Sequence, residues 1–130
     1  VPRLVFFALI GLVLIGVVSA IAAANTIPSS RLTDQSMPIT ANDLKPAACA
    51  ALNLTAIFIC PSLGGNCFAT DASELILGSP NADDIQGGKG NDCILGGGGD
   101  DYLRGDQDTD VCIGWPGTDT FHPSCETQIP

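Results

Sequence analysis

Basic residues are scarce in this chain. Lysine and arginine together number five, against fourteen aspartates and glutamates, and the 130 residues carry a formal net charge of −9 at pH 7. Proteins that bind nucleic acid present a basic face, and attraction to anionic lipid headgroups needs the same sign of charge. The composition therefore excludes nucleic acid as a partner and argues against docking on anionic headgroups.

Histidine and catalytic groupings are scarce as well. His122 is the single histidine, and none of the six cysteines forms a Cys-x-x-Cys pair, so no zinc-ligand spacing is present. No cysteine is paired with a base that would activate it as a nucleophile. We therefore predict that the protein is not an enzyme and has no small-molecule substrate.

A nine-residue repeat dominates the C-terminal half of the chain. Five consecutive units begin at positions 78, 87, 96, 105 and 114 and follow the pattern Gly-Gly-x-Gly-x-Asp-x-apolar-x. The sixth residues are Asp83, Asp92, Asp101, Asp110 and Asp119, and the eighth residues are Ile85, Ile94, Leu103, Cys112 and Phe121. A register held over five units is typical of a parallel β-roll whose turns bind Ca²⁺.

Each part of the repeat has a structural role. Glycines allow positive φ in the six-residue turn, and Asn81 and Asp108, which replace the fourth glycine, are residue types that tolerate this region. The last three residues form a short strand whose apolar middle side chain points inward. Successive turns lie on opposite edges, so turns two units apart stack. Their aspartate and carbonyl oxygens then face each other, as Ca²⁺ requires.

The repeats resemble the RTX (repeats-in-toxin) calcium-binding β-roll family over about residues 70–122. Units 87–95 (GGKGNDCIL) and 96–104 (GGGGDDYLR) match the motif fully, and the other three depart at position two or four. Residues 69–77 form a degenerate first unit that keeps Glu74 and the inward Ile76. The resemblance implies Ca²⁺ as the cofactor. The predicted metal-binding residues are Asp83, Asp92, Asp101, Asp110, Asp119, Asn81, Asp108, Gly78, Gly87, Gly90, Gly96, Gly99, Gly105 and Gly117.

Stacking of alternate turns predicts three interior calcium sites, with weaker sites at the ends. The pairs are Asp83 with Asp101, Asp92 with Asp110, and Asp101 with Asp119, so Asp101 serves two sites. Residues 70–130 hold twelve acids against Lys89 and Arg104. Without cations their repulsion favours an unfolded chain, so we expect calcium binding and folding to be coupled.

The N-terminus carries a long hydrophobic run. Residues 4–24 are 21 residues without a charge, about 31 Å as a helix. Three interpretations remain open: a signal peptide cleaved near residues 18–20, a single membrane anchor, or a filament stalk. Because the chain begins with Val rather than Met, we expect a product already trimmed. The stalk interpretation rests on a resemblance to type IV pilins, although Val1 and Val5 replace the usual Phe and Glu.

The expected organisation has three parts. Residues 1–27 form the hydrophobic helix, 28–48 a linker, and 49–130 the β-roll head, with an N-terminal cap (49–77) and a C-terminal cap (123–130). We predict a short helix around residues 44–51, limited by Pro46, and a strand over 54–59 that caps the first unit. Asn53 begins a glycosylation sequon. Trp115 replaces a turn glycine and should lie on an exposed edge.

Six cysteines indicate an oxidising compartment and three disulfides, for which fifteen connectivities are possible. A turn-rich loop lies between Cys60 and Cys67, and Cys125 follows the last unit, within reach of Cys112. Cys49 and Cys93 are left and would tie the cap to the outer face of the second unit. The predicted pairs are therefore Cys60–Cys67, Cys112–Cys125 and Cys49–Cys93.

The predicted fold is mainly β: a hydrophobic N-terminal α-helix followed by a small disulfide-stapled parallel β-roll. The predicted function is structural, a pilin-like subunit of an extracellular surface filament that contacts copies of itself through the N-terminal helix. The alternative is a single-span membrane-anchored calcium-binding surface module, adhesive or accessory to a larger complex. Both place the head outside the cell.

Overall fold

The computed structural model describes residues 38–130. In this part of the chain one helical turn, α1, spans Ala41–Leu44, and a 3₁₀ turn spans Ala47–Cys49. The strands are β1 (Ala56–Ile59), β2 (Gly65–Phe68), β3 (Glu74–Leu77), β4 (Asp83–Gly88), β5 (Cys93–Leu95), β6 (Tyr102–Asp106), β7 (Val111–Ile113), β8 (Thr120–Phe121) and β9 (Thr127–Ile129).

These strands form two parallel sheets. One sheet has five strands in the order β1-β3-β5-β7-β9, and the other has four in the order β2-β4-β6-β8. Each strand pairs with the strand two further along the chain, so Ile76 lies beside Ile94 and Ile85 beside Leu103. For every pair except β7 with β9 the offset is two nine-residue units, which confirms the predicted mainly β roll with alternate turns stacked on each edge.

The interior between the sheets is filled by the eighth residue of each unit. Ile76, Ile85, Ile94, Leu103 and Cys112 are each 0 % exposed and belong to one hydrophobic cluster. Phe58 lies at the first coil and Phe121 at the last, and both are only partly buried. Strand side chains alternate between faces, so one apolar position per unit is enough to build this core.

A second hydrophobic cluster lies on the outer face of the five-stranded sheet. The seventh and ninth residues of every other unit are apolar there: Leu75, Leu77, Cys93, Leu95, Val111 and Ile113. Residues within 41–54, including Ala41, Cys49 and Leu54, are buried against them. In the four-stranded sheet the same positions of units 78–86 and 96–104 are polar or amphipathic, as at Asp84, Gln86 and Arg104. Phe68 of β2, in register with Gln86, is an exposed apolar exception.

The residues that cover the outer face of the five-stranded sheet begin earlier in the chain than the predicted cap. Residues within 41–54 are buried against this sheet as far as Ile113, whereas the prediction placed a strand over the first unit and tied Cys49 to the outer face of the second. The predicted linker boundary at residue 48 is too late, because Ala41 is already buried and the compact unit spans Pro38–Pro130. The apolar seventh and ninth residues are the physical reason, since they need cover from water.

Local structure in the cap also differs from the prediction. The helix begins at Ala41 rather than near residue 44, and Pro46 separates it from the 3₁₀ turn. Asp43 closes its first turn by accepting hydrogen bonds from the Thr40 N–H at 2.8 Å and the Thr40 hydroxyl at 2.7 Å. The predicted strand over 54–59 is shorter and starts at Ala56. Asn53, the sequon residue, is exposed.

All six cysteines are paired: Cys49–Cys93, Cys60–Cys67 and Cys112–Cys125. These are the three pairs given by the sequence analysis. The first joins the N-terminal cap to β5, the second closes the loop between β1 and β2, and the third joins β7 to the segment before β9. The N-terminal cap is thus held on the five-stranded sheet, and the C-terminal segment is held on the coil before it.

The predicted helix over residues 1–27 lies outside the described residues, as does the linker up to residue 37. Among residues 38–130, no helix has the length and apolar character needed to cross a membrane.

Candidate calcium sites

The turns take the conformation that the glycines predict, with one exception. Positive φ occurs at the second and fourth positions of four turns: Gly88 (100°), Gly90 (100°), Gly97 (103°), Gly99 (95°), Asp106 (78°), Asp108 (75°), Trp115 (73°) and Gly117 (159°). The turn over 78–83 has none, so Asn81 does not take the left-handed conformation predicted for it. Instead, the Asn81 amide donates to the Ser62 carbonyl of the preceding coil at 3.2 Å.

The sixth residues, together with Glu126, form two ladders of stacked acids, one along each edge of the roll. The first ladder is Asp83, Asp101 and Asp119, and the second is Glu74, Asp92, Asp110 and Glu126. In each ladder the backbone N–H of one acid donates to the carboxylate of the next. These hydrogen bonds run from Glu74 to Asp92 (2.8 Å), Asp83 to Asp101 (2.9 Å), Asp92 to Asp110 (2.8 Å), Asp101 to Asp119 (3.1 Å) and Asp110 to Glu126 (2.7 Å).

Glu126 is a member that the sequence analysis did not identify. Residues 123–130 were predicted as a cap, but β9 adds a further strand to the five-stranded sheet, and Val111 lies beside Thr127. The offset there is sixteen residues instead of eighteen, so the repeat pattern gives no signal for this acid. At the opposite end, both carboxylate oxygens of Glu74 accept hydrogen bonds from Thr70, at 2.8 and 2.9 Å.

The inner acids each keep one carboxylate oxygen buried without a hydrogen-bond partner. These are the Oδ2 atoms of Asp92, Asp101 and Asp110, and all three side chains are at most 2 % exposed. Each Oδ2 faces the first glycine of its own unit, where an added Cβ would approach it closer than 3.0 Å. A buried carboxylate oxygen with no donor is costly, and a cation is the partner that offsets the cost.

The raised pKa values of the inner acids also favour a cation in these turns. Burial, partly offset by the hydrogen bond from the neighbouring N–H and reinforced by the stacked carboxylates, raises the pKa of Asp92 to about 7. The same causes raise the pKa of Asp101 and of Asp110 to about 6. For Asp110 the largest repulsive neighbour is Glu126. Ionisation of these three acids is therefore less favourable in the metal-free fold than in water, and a bound cation would offset this cost.

The donor set suits Ca²⁺. Among the described residues, no three acidic, histidine or cysteine side chains converge on one point, so carboxylates alone do not make a site. Each stacked pair brings two carboxylates to a turn rich in glycine, where backbone carbonyls are uncovered by side chains. Hard oxygen ligands of this kind are preferred by Ca²⁺, which takes six to eight of them.

Apart from the five ladder aspartates, the predicted ligand positions fall into two groups in the structure. Gly78, Gly87, Gly96 and Gly105 are first residues of their turns, and Gly90, Gly99, Gly117, Asn81 and Asp108 are fourth residues. The Asp108 carboxylate accepts the Gly90 N–H of the stacked turn at 3.2 Å, so it bridges two turns of the second ladder. Asp83 and Asp119 stand at the ends of the first ladder.

The fold and the ladders define the molecule as a parallel β-roll with acidic, glycine-lined edges. The family model described as RTX calcium-binding nonapeptide repeat (4 copies) matches the chain over three overlapping ranges, residues 68–103, 77–112 and 94–121. Residues 68–121 are thus an RTX calcium-binding β-roll, as the sequence analysis predicted, and such repeats are typically extracellular. No curated protein and no solved structure matches the chain.

Asp101→Asn should change stability in opposite directions with and without calcium. In calcium the variant loses a charged ligand, which costs about 1–3 kcal/mol and lowers Tm by about 4–8 °C per kcal/mol in a domain of this size. Without calcium it loses a repelling charge, so Tm should rise.

The matched control is Asp100→Asn, which removes the adjacent exposed acid. Its effect should stay within about 0.5 kcal/mol. Thermal unfolding followed by circular dichroism measures both variants. Equal shifts for the two, or a fall in Tm for Asp101→Asn without calcium, would contradict the assignment.

The pH dependence of stability should also reverse on removing calcium. The raised pKa values mean that the metal-free folded state binds more protons than the unfolded state between about pH 4 and 7, so its stability falls as pH rises through this window. With calcium bound, protons compete with the metal, and stability should rise over the same window. Melting curves of metal-stripped and calcium-saturated protein at pH 5 and 7.5 test this. Metal-free stability that rises with pH would show that the ladders are not strained by their charge.

Proposed function

We propose that this protein is a structural subunit of an extracellular surface filament, with the calcium-rigidified β-roll displayed as its head and the N-terminal hydrophobic segment packed in the filament core. The observation that carries the calcium part is the row of buried, unpartnered Oδ2 atoms on Asp92, Asp101 and Asp110. A cation at each turn would satisfy these oxygens and hold adjacent coils together. The head would then be stiff only where calcium is abundant, as it is outside cells.

The disulfides support an exported head. Three bridges in residues 38–130 leave no free cysteine, which fits an oxidising compartment. Cys49–Cys93 holds the N-terminal cap on β5, and Cys112–Cys125 holds the C-terminal segment on β7. A head pinned in this way resists unravelling from its ends, where a solenoid is weakest.

A structural role also fits the chemistry of the acids. Seven of them are engaged with one another in the two ladders, and calcium would complete their coordination. His122 makes a local contact with Ser124 at 2.9 Å rather than with any of these acids.

The filament part of the proposal rests on the sequence of the N-terminal segment. Its 21 uncharged residues include Gly11, Gly16 and a run of alanines, and small residues of this kind allow close packing of helices. The same length also suits a single membrane span. A monomeric, membrane-anchored calcium-binding module is therefore the second candidate.

Negative-stain electron microscopy of the purified full-length protein in calcium separates the two candidates. The filament proposal expects helical fibres. As a matched control, Leu14→Lys places one charge in the hydrophobic run and should abolish the fibres while leaving the melting of the head unchanged. Monodisperse particles that need detergent to stay in solution would contradict the filament and favour the membrane-anchored module.

A further inference from the structure

Glu126 lies beyond the matched repeats yet occupies a ladder position. The match ends at residue 121. Even so, the Asp110 N–H donates to Glu126 Oε2 at 2.7 Å. The equivalent hydrogen bond within the repeats runs from the Asp92 N–H to the Asp110 carboxylate at 2.8 Å. The carboxylate therefore extends the second ladder by one member.

The backbone on both sides of Glu126 is fixed. Cys125 is buried and bonded to Cys112, which is 0 % exposed inside the roll. On the other side the Thr127 N–H donates to the Asp110 carbonyl at 3.2 Å as β9 begins. The offset to Asp110 is two residues shorter than between repeats, and the longer glutamate side chain still reaches the ladder.

The turn over residues 105–110 has the same features as the two turns whose sequences match the motif fully. Positive φ occurs at its second and fourth positions, at Asp106 and Asp108, as it does at those positions in the turns over 87–92 and 96–101. Its sixth residue, Asp110, is 0 % exposed and keeps Oδ2 without a hydrogen-bond partner. Each of these three turns has one further acid stacked on it.

The turn over 78–83 lacks this set of features. It has no positive φ, and the Ser79 N–H donates to Asp83 Oδ2 at 2.7 Å, which leaves the other oxygen of that carboxylate unpartnered. The features shared by the other three turns are therefore not general to the roll. A stacked acid alone does not produce them, because Asp101 also stacks on the turn over 78–83.

We propose that Glu126 is a calcium ligand, and that it completes with the turn over residues 105–110 a site outside the repeat array, positioned by the Cys112–Cys125 disulfide. This inference rests on calcium binding by the repeats but not on filament assembly. Sequence matching alone would place the last site within residues 94–121.

Glu126→Gln tests the inference with little risk to the fold. Glutamine keeps an oxygen that can accept the Asp110 N–H and removes only the charge. The matched control is Asp71→Asn, which removes one charge from an exposed acid paired with Lys89 at the same edge of the roll. Both variants, with intact disulfides verified by mass, are titrated with CaCl₂ by isothermal calorimetry and melted with and without calcium.

The expected result is that Glu126→Gln binds one calcium ion fewer than wild type, or binds one at least tenfold more weakly. Its Tm should fall in calcium and be unchanged or raised without it. Asp71→Asn should keep the wild-type stoichiometry.

Two results would overturn the inference. If Glu126→Gln binds as many ions as wild type with the same affinities, the site does not exist. If its Tm falls equally with and without calcium, Glu126 is a structural acceptor only. Wild-type protein that binds no calcium at all would refute the calcium function itself, which is a separate failure.

Discussion

The burial and mutual repulsion of stacked carboxylates are the main constraint on the folding of this roll. In each inner acid, one carboxylate oxygen accepts a hydrogen bond from the N–H of the neighbouring acid. The other oxygen is buried beside the first glycine of the same turn. No donor reaches that second oxygen, and the next carboxylate of the ladder lies close by. The interior offers only one apolar side chain per nine residues, so apolar burial alone gives a core of limited size. Calcium would offset the repulsion between the stacked carboxylates and add ligand bonds between adjacent coils, so we expect binding and folding to be coupled.

The two sheets of the roll have different outer faces. In the five-stranded sheet the seventh and ninth residues are apolar. Residues 41–54 cover them and are held there by the Cys49–Cys93 disulfide. In the four-stranded sheet residues such as Gln86 and Arg104 remain accessible to water. The roll thus has one outer face packed as a second core and one that is mainly polar, apart from the exposed Phe68. This asymmetry adds apolar burial that a bare solenoid of this length would lack.

Much of this structure could be predicted from the sequence because the repeat is periodic in physical terms. Aspartate at position six and an apolar residue at position eight together predict the turns, the ladders and the interior. The eighteen-residue alternation at positions seven and nine was also present, at Leu75, Cys93 and Val111, and signals the covered face. Glu126 could not be predicted, because its sixteen-residue offset and its distance from the last glycine turn break the pattern. Asn81 differs because its turn contains Pro80 and makes contacts with the preceding coil instead of repeating the common conformation.

Thermal unfolding of the full-length protein at pH 7.5, with calcium and after chelation, tests the central claim most directly. A site held at a hundredfold excess over its Kd contributes about 2.7 kcal/mol, and several such sites together correspond to a shift of tens of degrees in a domain of this size. The account predicts a fall in Tm of about 20 °C or more on chelation, with the disulfides preserving compactness in the unfolded chain. Identical melting curves in the two conditions would contradict a structural role for calcium.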